Sequence, residues 1–201
     1  MGRGRGNREV EIKLRLEDAA SARRLLRRAG FRTAGRRTLE VNVLYDTPAA
    51  DLRRQAMLLR LRRYGRRLVL TYKGPPQEAR HKVREELEVL VSDLDEAALI
   101  LARLGLEAGF RYEKYRTEFR GPAGGTVLLD ETPIGDFLEL EGAPSWIDRT
   151  AARLGFGEAD YITSDYGTLY LESCRGRGVV PGNMVFRQYA GHHASTPGKS
   201  T

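Results

Sequence analysis

The chain has 201 residues, of which 41% are hydrophobic and 30% are charged, enough for one globular domain with its own core. No apolar run reaches the roughly 20 residues that cross a bilayer, and the N-terminus lacks the apolar segment of a secretory signal. The single cysteine, Cys174, excludes an internal disulfide, and three histidines without partner cysteines do not indicate a zinc site. These features predict a cytoplasmic protein without a membrane partner.

The net charge of +7 comes from the two ends of the chain. Seven basic residues and no acidic ones lie before Glu9 and from Cys174 onward, which leaves 27 basic and 27 acidic residues in 9–173. Both ends are rich in Gly, Arg or Ser and lack periodicity, so we predict flexible tails at 1–7 and 174–201 and a folded domain over 8–173. A nucleic-acid partner is therefore not expected for the domain itself, and the oligomeric state, monomer or homodimer, stays open.

The predicted elements begin with a strand over 9–16, where apolar and charged residues alternate strictly. A helix follows over 17–30, with acids at its start, arginines at its end and Gly30 as its stop. Further along the chain, the pattern predicts a strand at 38–48, a hairpin at 56–75 turning at Gly65, a strand at 81–91, a helix at 92–105 with Ser92 and Asp95 spaced as a capping box, three strands within 112–142, and helices at 144–156 and 164–172.

About eight strands, mostly neighbours in sequence, favour an antiparallel sheet. Nearly every polar position on these strands carries a full charge, of both signs, whereas a solvated strand face usually mixes in uncharged polar residues. Eight strands are also about the number at which a sheet closes on itself. We therefore predict an α+β fold: a closed eight-stranded antiparallel β-barrel, or tunnel, with its apolar faces under flanking helices and its charges around a wet lumen.

The charges of such a lumen indicate a metal–polyphosphate ligand. Arginine forks and lysine ammonium groups are the usual partners of phosphate, and the predicted lumen offers Lys13, Arg60, Arg62, Lys73, Arg84, Lys114 and Arg116. Carboxylates repel phosphate unless hard divalent cations lie between them; those predicted here are Glu9, Glu11, Glu86, Glu88, Asp130, Glu139 and Glu141. Such oxygen ligands select Mg²⁺ or Mn²⁺.

A series of short charged motifs follows the predicted strands in order. The first is "EVEIK", a Glu-x-Glu-x-Lys sequence, and the others are "LYDTPAADLRRQAMLLRLRR", "LTYKGP", "REELE", "EKYR" and "LDETPIGDFLELEG". Together they resemble the motifs of the CYTH superfamily, also called triphosphate tunnel metalloenzymes, which open with the same signature and include class IV adenylyl cyclases and thiamine and inorganic triphosphatases. The resemblance covers residues 8 to 172 and implies the same closed, charged tunnel.

The resemblance also implies residue roles. Glu9, Glu11 and Glu141 would hold the catalytic metal, with Glu139 and Asp130 close by, and Glu86 and Glu88 could hold a second metal or orient the basic residues. The basic residues named above would bind the triphosphate, and Lys13 would act beside Glu9 and Glu11 at the catalytic centre. The segment "YITSDYGTLY" departs from members that place a phosphate-binding lysine in the last helix.

The sequence thus favours metal-dependent hydrolysis of an inorganic or organic triphosphate. A class IV adenylyl cyclase, which makes cyclic AMP from ATP, is the alternative. A polyphosphate-binding module without catalysis is a third hypothesis, and its expected mark would be the loss of acidic metal ligands. Weak RNA binding by the tails is a fourth.

Overall fold

The computed structural model describes residues 7–77, 79–121 and 124–186. Of the predicted tails, residues 1–6 and 187–201 lie outside this range. The strands are β1 (Asn7–Arg15), β2 (Arg32–Thr33), β3 (Thr38–Asp46), β4 (Leu58–Tyr64), β5 (Arg67–Lys73), β6 (Lys82–Leu90), β7 (Glu107–Arg120), β8 (Thr126–Thr132) and β9 (Gly135–Glu141). The helices are α1 (Ala19–Arg28), α2 (Asp51–Arg54), α3 (Leu94–Arg103), α4 (Pro144–Arg153) and α5 (Tyr166–Gly176), with a 3₁₀ turn at Glu158–Asp160.

The sheet closes into the predicted eight-stranded antiparallel barrel. Its order is β7-β3-β4-β5-β6-β1-β9-β8, and pairing of β7 with β8 joins the two ends. The short strand β2 adds a ninth member that pairs with β7. Because side chains alternate between the two faces of each strand, closure sends one row of every strand into the lumen and the other row outward.

The outward rows form the hydrophobic core under the helices. Ile12 and Leu14 of β1 and Leu138 and Leu140 of β9 are fully buried in one cluster. Helices α1 and α4 cover these strands and contribute, among others, Leu26 and Ile147 to the same cluster. The charged lumen therefore does not replace the core, which lies between the barrel wall and the helices.

Helix α3 covers a second part of the barrel wall, over β3 and β4. Leu101 of α3 is buried with Tyr45 and Leu61 of these strands. The Ser92–Asp95 capping box expected from the sequence is not the cap that forms: the Asp93 side chain accepts hydrogen bonds from the backbone of Asp95 and Glu96. A carboxylate one position later can satisfy the same free amides.

The chain stays folded beyond residue 174, where the sequence pattern indicated a tail. Helix α5 runs to Gly176, and Cys174 is buried within it. Met184 is also buried, and its backbone pairs with β7 beside Tyr112. Among the described residues, no helix has both the length and the apolar character needed to span a membrane.

Candidate active site

The inward rows of the barrel surround a polar cavity of about 160 Å³. The following predicted site residues line it: Glu9, Glu11, Lys13, Arg60, Arg62, Lys73, Arg84, Glu86, Glu88, Lys114, Arg116, Glu139 and Glu141. Asp130 is fully buried in the barrel wall and contacts three of the lining residues. The structure thus brings together side chains that are up to about 130 positions apart in the sequence.

Three carboxylates of this set form a group of their own. Glu9, Glu11 and Glu141 each offer an oxygen atom, and these atoms lie within 4.8 Å of one another. The pairing of Glu11 with Glu141 across β1 and β9 brings them together, and Glu9 precedes Glu11 on the same inward row. Because all three donors are carboxylate oxygens, the group fits a hard divalent cation such as Mg²⁺ or Mn²⁺.

The pKa values of these carboxyls reflect their crowding. Burial raises the pKa of Glu141 to about 8, with the negative charges of Glu139, Glu11 and Glu9 acting in the same direction. Burial and the neighbouring Glu11 also raise the pKa of Glu9. Burial opposes ionisation of Glu11 as well, but the ammonium groups of Lys13, Lys73 and Lys82 together hold the pKa of Glu11 below its usual range. Glu141 and Glu9 therefore resist ionisation, and a bound cation would favour their charged forms.

Four further acids of the predicted metal set are paired with cations. The Asp130 carboxylate accepts hydrogen bonds from Lys114 Nζ at 2.7 Å and from Arg116 Nε at 2.7 Å. Glu139 accepts from Arg116, and Glu86 Oε1 lies 3.0 Å from Lys73 Nζ. Glu88 accepts a 2.9 Å hydrogen bond from the Thr71 hydroxyl and lies 3.7 Å from Arg60. These contacts pair the four acids with basic residues, as Lys73 also pairs with Glu9, whose Oε1 accepts a 2.7 Å hydrogen bond from Lys73 Nζ.

Lys13 lies at the junction between the acidic group and the basic residues. Its Nζ donates to Glu11 at 3.1 Å and lies 3.5 Å from Glu139, and the side chain is only 3% exposed. Although burial disfavours its charge, Glu11 and Glu139 keep the pKa of Lys13 above its ordinary value. Lys13 is therefore a fixed positive charge directly beside the three-carboxylate group.

Several buried cationic groups of the lumen have an atom without a hydrogen-bond partner. Among the described residues, these atoms are Arg60 Nε, Arg84 Nε and Lys82 Nζ. All three side chains line the cavity. Lys82 Nζ lies 3.5 Å from a Glu11 oxygen and Arg84 Nε 3.6 Å from a Glu9 oxygen, at ion-pair distance without a hydrogen bond. The three donors therefore keep hydrogen-bonding capacity that an anion in the cavity would use.

The sequence reasoning missed several lumen residues. Lys82 lies on the inward row of β6 but was not included among the predicted binding residues. Glu40 and Asn42 of β3 are fully buried beside Arg62, and Asn42 accepts a 3.2 Å hydrogen bond from it. The alternation in "TLEVNV" could have identified this pair, whereas Tyr112 and Tyr166 had no comparable signal because aromatic residues also fill ordinary cores.

The lumen is open at one end. Along β1, side-chain exposure rises from 3% at Lys13 to 6% at Glu11 and 11% at Glu9. Along β6 it rises to 17% at Glu86 and 39% at Glu88. A second cavity of about 360 Å³ adjoins this end, and the two cavities share Glu9, Glu86 and Glu141. We call this end the entrance.

At the opposite end the inward rows of β7 and β9 change from charged to aromatic residues. On β9, Glu141 and Glu139 are followed by Phe137, and on β7, Arg116 and Lys114 give way to Tyr112. Phe137 and Tyr112 are buried with residues from α5 and the segment after it; the cluster comprises Tyr112, Phe137, Tyr166, Leu169 and Met184. We call this cluster the cap.

The cap is tied to the charged lumen. The Tyr166 hydroxyl donates a 2.8 Å hydrogen bond to Asp130, and the Tyr166 ring lies 4.7 Å from Lys114 Nζ. Arg15, whose position the sequence did not fix, lies on the outer side of the cap, with its guanidinium 4.7 Å from the centre of the Phe137 ring. Arg15 is therefore exposed at the closed end and does not line the lumen.

Comparison with known proteins agrees with the fold and the motifs. A protein of Methanocaldococcus jannaschii, named "putative adenylate cyclase", is 29% identical over 140 residues, which are 70% of this chain and 79% of the relative. The structure of the PH1819 protein of Pyrococcus horikoshii superposes with a TM-score of 0.69 at 27% identity, covering 82% of this chain and 98% of that one.

A second structural neighbour is HpAC1 of Hippeastrum, described as a "putative adenylyl cyclase" with a dominant triphosphatase activity. It has a TM-score of 0.57 at 22% identity and covers 86% of this chain and 97% of its own, so the likeness shows a shared fold. The CYTH domain family matches residues 7–150, which include every strand of the barrel. The chain therefore belongs to the CYTH domain family.

Proposed function

We propose that this protein hydrolyses the terminal phosphoanhydride bond of a triphosphate inside its lumen, with Mg²⁺ or Mn²⁺ as cofactor. The observation that carries the proposal is the arrangement of a three-carboxylate group, Glu9, Glu11 and Glu141, beside a lumen of buried basic residues. A cation between carboxylates and phosphates would turn their repulsion into a shared attraction.

The basic residues would bind and orient the phosphate chain. Arg60, Arg84 and Lys82 would donate from the atoms that lack partners, while Lys73, Lys114 and Arg116 would hold the acids that surround them. Such preorganised donors stabilise the negative charge that gathers on the departing phosphate group. Arg62, near the entrance, would contact the part of the substrate that reaches furthest out.

Glu9, Glu11 and Glu141 would hold the metal, which when bound lowers the charge repulsion of the phosphate oxygens and favours ionisation of water. Lys13 would contact the phosphate next to this group, where its fixed charge keeps the chain in line. Glu86, Glu88, Asp130 and Glu139 would fix the directions of the basic side chains.

A direct assay of products tests the proposal. The purified protein is incubated with tripolyphosphate and, in parallel, with ATP, each with Mg²⁺, with Mn²⁺ or with a chelator. We expect release of free phosphate that requires the metal. Absence of phosphate release from both compounds under all metal conditions would show that the proposal is wrong.

Adenylyl cyclase activity is the second candidate, because the M. jannaschii relative bears that name. A cyclase needs a surface that holds adenine and ribose, and the described residues lining the entrance cavity, Arg8, Glu9, Val10, Glu86, Gly125, Thr126, Glu141 and Gly142, include no aromatic ring. This favours hydrolysis. Measuring cyclic AMP in the ATP reaction decides between the two activities.

A further inference from the structure

One surface outside the barrel carries a concentration of positive charge that the balanced total of the domain hides. Residues 19–37, which form α1, β2 and most of the chain leading to β3, contain seven arginines and no acidic residue. The rest of 9–173 contains 20 basic and 27 acidic residues. Because many of those acids line the lumen, they do not offset the charge of the outer surface.

The two halves of this segment lie side by side on the barrel. Arg23 of α1 donates a 2.8 Å hydrogen bond to the Glu131 carboxylate of β8, and Arg37 donates to the other oxygen of the same carboxylate. The Arg37 guanidinium also lies 3.5 Å from the centre of the Tyr115 ring. Glu131 therefore joins the helix and the chain after β2 into one surface. We call it the arginine face, and it comprises Arg23, Arg24, Arg27, Arg28, Arg32, Arg36 and Arg37.

Four exposed arginines of this face have no acidic partner among the described residues: Arg27, Arg28, Arg32 and Arg36. The C-terminal end of α1 favours Arg27 and Arg28 through the helix dipole, but this effect does not extend to Arg32 and Arg36. Arg32 even lies opposite Arg120 in the pairing of β2 with β7, and like charges directly opposite each other destabilise a strand pair. The fold alone does not account for this accumulation of charge, whereas a bound polyanion would.

The composition of the face favours phosphate groups over a membrane. All seven cations are arginines, whose forked guanidinium groups match the geometry of phosphate oxygens. A membrane-binding helix needs a free apolar face beside its cations, but the apolar residues Leu25 and Leu26 of α1 pack into the barrel core. Within 19–37, all of which the structure describes, no large apolar side chain is exposed.

We propose that the arginine face binds the phosphodiester backbone of a nucleic acid without reading its bases. A backbone presents one phosphate per nucleotide, so several arginines can contact it at once. Positive charge also continues into residues 187–201, which contain Arg187 and Lys199 and no acid. They follow Phe186, whose ring lies 5.1 Å from that of Tyr115 beside Arg37. The balanced total charge argued against such a partner, and the uneven distribution removes that argument.

The proposal concerns the outer surface and does not depend on the proposed function of the lumen. Fluorescence anisotropy with the full-length protein tests it. The probe is a labelled oligouridine of about 20 nucleotides, long enough for several phosphate contacts, and its 5′-hydroxyl end offers the lumen no terminal phosphate.

A triple variant, Arg27→Ser/Arg32→Ser/Arg36→Ser, removes three of the unpaired charges. We expect about tenfold weaker binding at about 100 mM salt, and a slope of log affinity against log salt that is smaller by about 2, because each lost phosphate contact on a single strand removes about 0.7 from the slope. If the triple variant does not fold, Arg36→Ser alone, in the chain between β2 and β3, should lower the slope by about 0.7.

Two control variants separate the arginine face from positive charge elsewhere. Arg63→Ser/Arg66→Ser/Arg103→Ser removes three exposed arginines from β4, the turn after it and α3, and should weaken binding less than about twofold, because salt screens charges that do not touch the strand. Arg3→Ser/Arg5→Ser tests binding by the N-terminal residues in the same way.

Three results would overturn the proposal. The first is a loss of affinity in either control as large as that in the triple variant. The second is no binding of the probe by the unaltered protein at low salt. The third is binding to phosphatidylserine vesicles without binding to the probe, which would assign the face to an anionic membrane.

Discussion

The two ends of the same barrel are built from the same strands but have opposite chemistry. At the entrance, Glu9 and Glu141 continue the inward rows of β1 and β9 with charged side chains, and both line the second cavity. At the cap, the row of β9 reaches Phe137, which is fully buried against Tyr166. The alternation within each strand therefore determines which residues face inward. Whether those residues line a cavity or form a core depends on what packs against that end of the barrel: helix α5 covers the cap, and the second cavity adjoins the entrance.

The largest expected effect is a loss of activity when the three-carboxylate group near the entrance is altered. Glu11→Gln removes a charge from the three-carboxylate group and should lower metal-dependent turnover by at least about 100-fold, because oriented metal ligands dominate affinity and activity. The control is Glu85→Gln on β6, whose exposed side chain lies on the outer face of the barrel and should leave turnover unchanged. Full activity of Glu11→Gln under saturating metal would contradict the assignment of this group.

The next effect concerns the acid that links the lumen to the cap. Asp130→Asn leaves Lys114 and Arg116 with one charged partner fewer in a fully buried site and should lower the free energy of unfolding by about 3–5 kcal/mol. Urea unfolding measures the loss. The exposed pair between Arg80 and Glu158 is the comparison: Glu158→Gln should cost roughly 0–1 kcal/mol, and an equal loss in both variants would refute the contrast.

The cap itself should respond to the loss of packing. Leu169→Ala removes a side chain that is 5% exposed within the cap and should cost about 2–5 kcal/mol. Two residues along the same helix, Leu171 is 46% exposed, and Leu171→Ala should cost less than about 1 kcal/mol. Thermal melting of the two variants checks the difference, and similar melting temperatures would mean that α5 does not close the barrel.

The smallest expected effect is a pH-dependent change in stability caused by Glu141 at the entrance. Because burial raises the pKa of Glu141 to about 8, above its unfolded value of 4.5, this group favours the unfolded state increasingly as the pH rises from 4.5 to 8. Without metal, Glu141→Gln should therefore raise the melting temperature most at pH 8 and progressively less toward pH 5. A gain of equal size at both pH values would argue against the raised pKa.

Much of the fold could be predicted because its signals are local. Strict alternation in "EVEIKLRL" fixes the inward row of β1, and similar patterns identify seven more strands of the barrel. The helix ends were predicted less accurately. The cap of α3 is Asp93 and not Ser92, and α5 with the segment after it extends past the predicted end of the domain. Apolar packing by Met184, a contact between distant parts of the chain, holds that segment in place.

The sequence by itself determined that charged rows face one side of each strand, because alternation is a property of a strand alone. Only the tertiary structure decided which acids stand close enough together to share a cation. Glu11 meets Glu141 through the register of two strands far apart in the chain, and Asp130 meets Lys114 and Arg116 through another. The closed end likewise depends on the docking of α5. The strand pattern places Phe137 on the inward row, but only the closed barrel brings it into contact with α5.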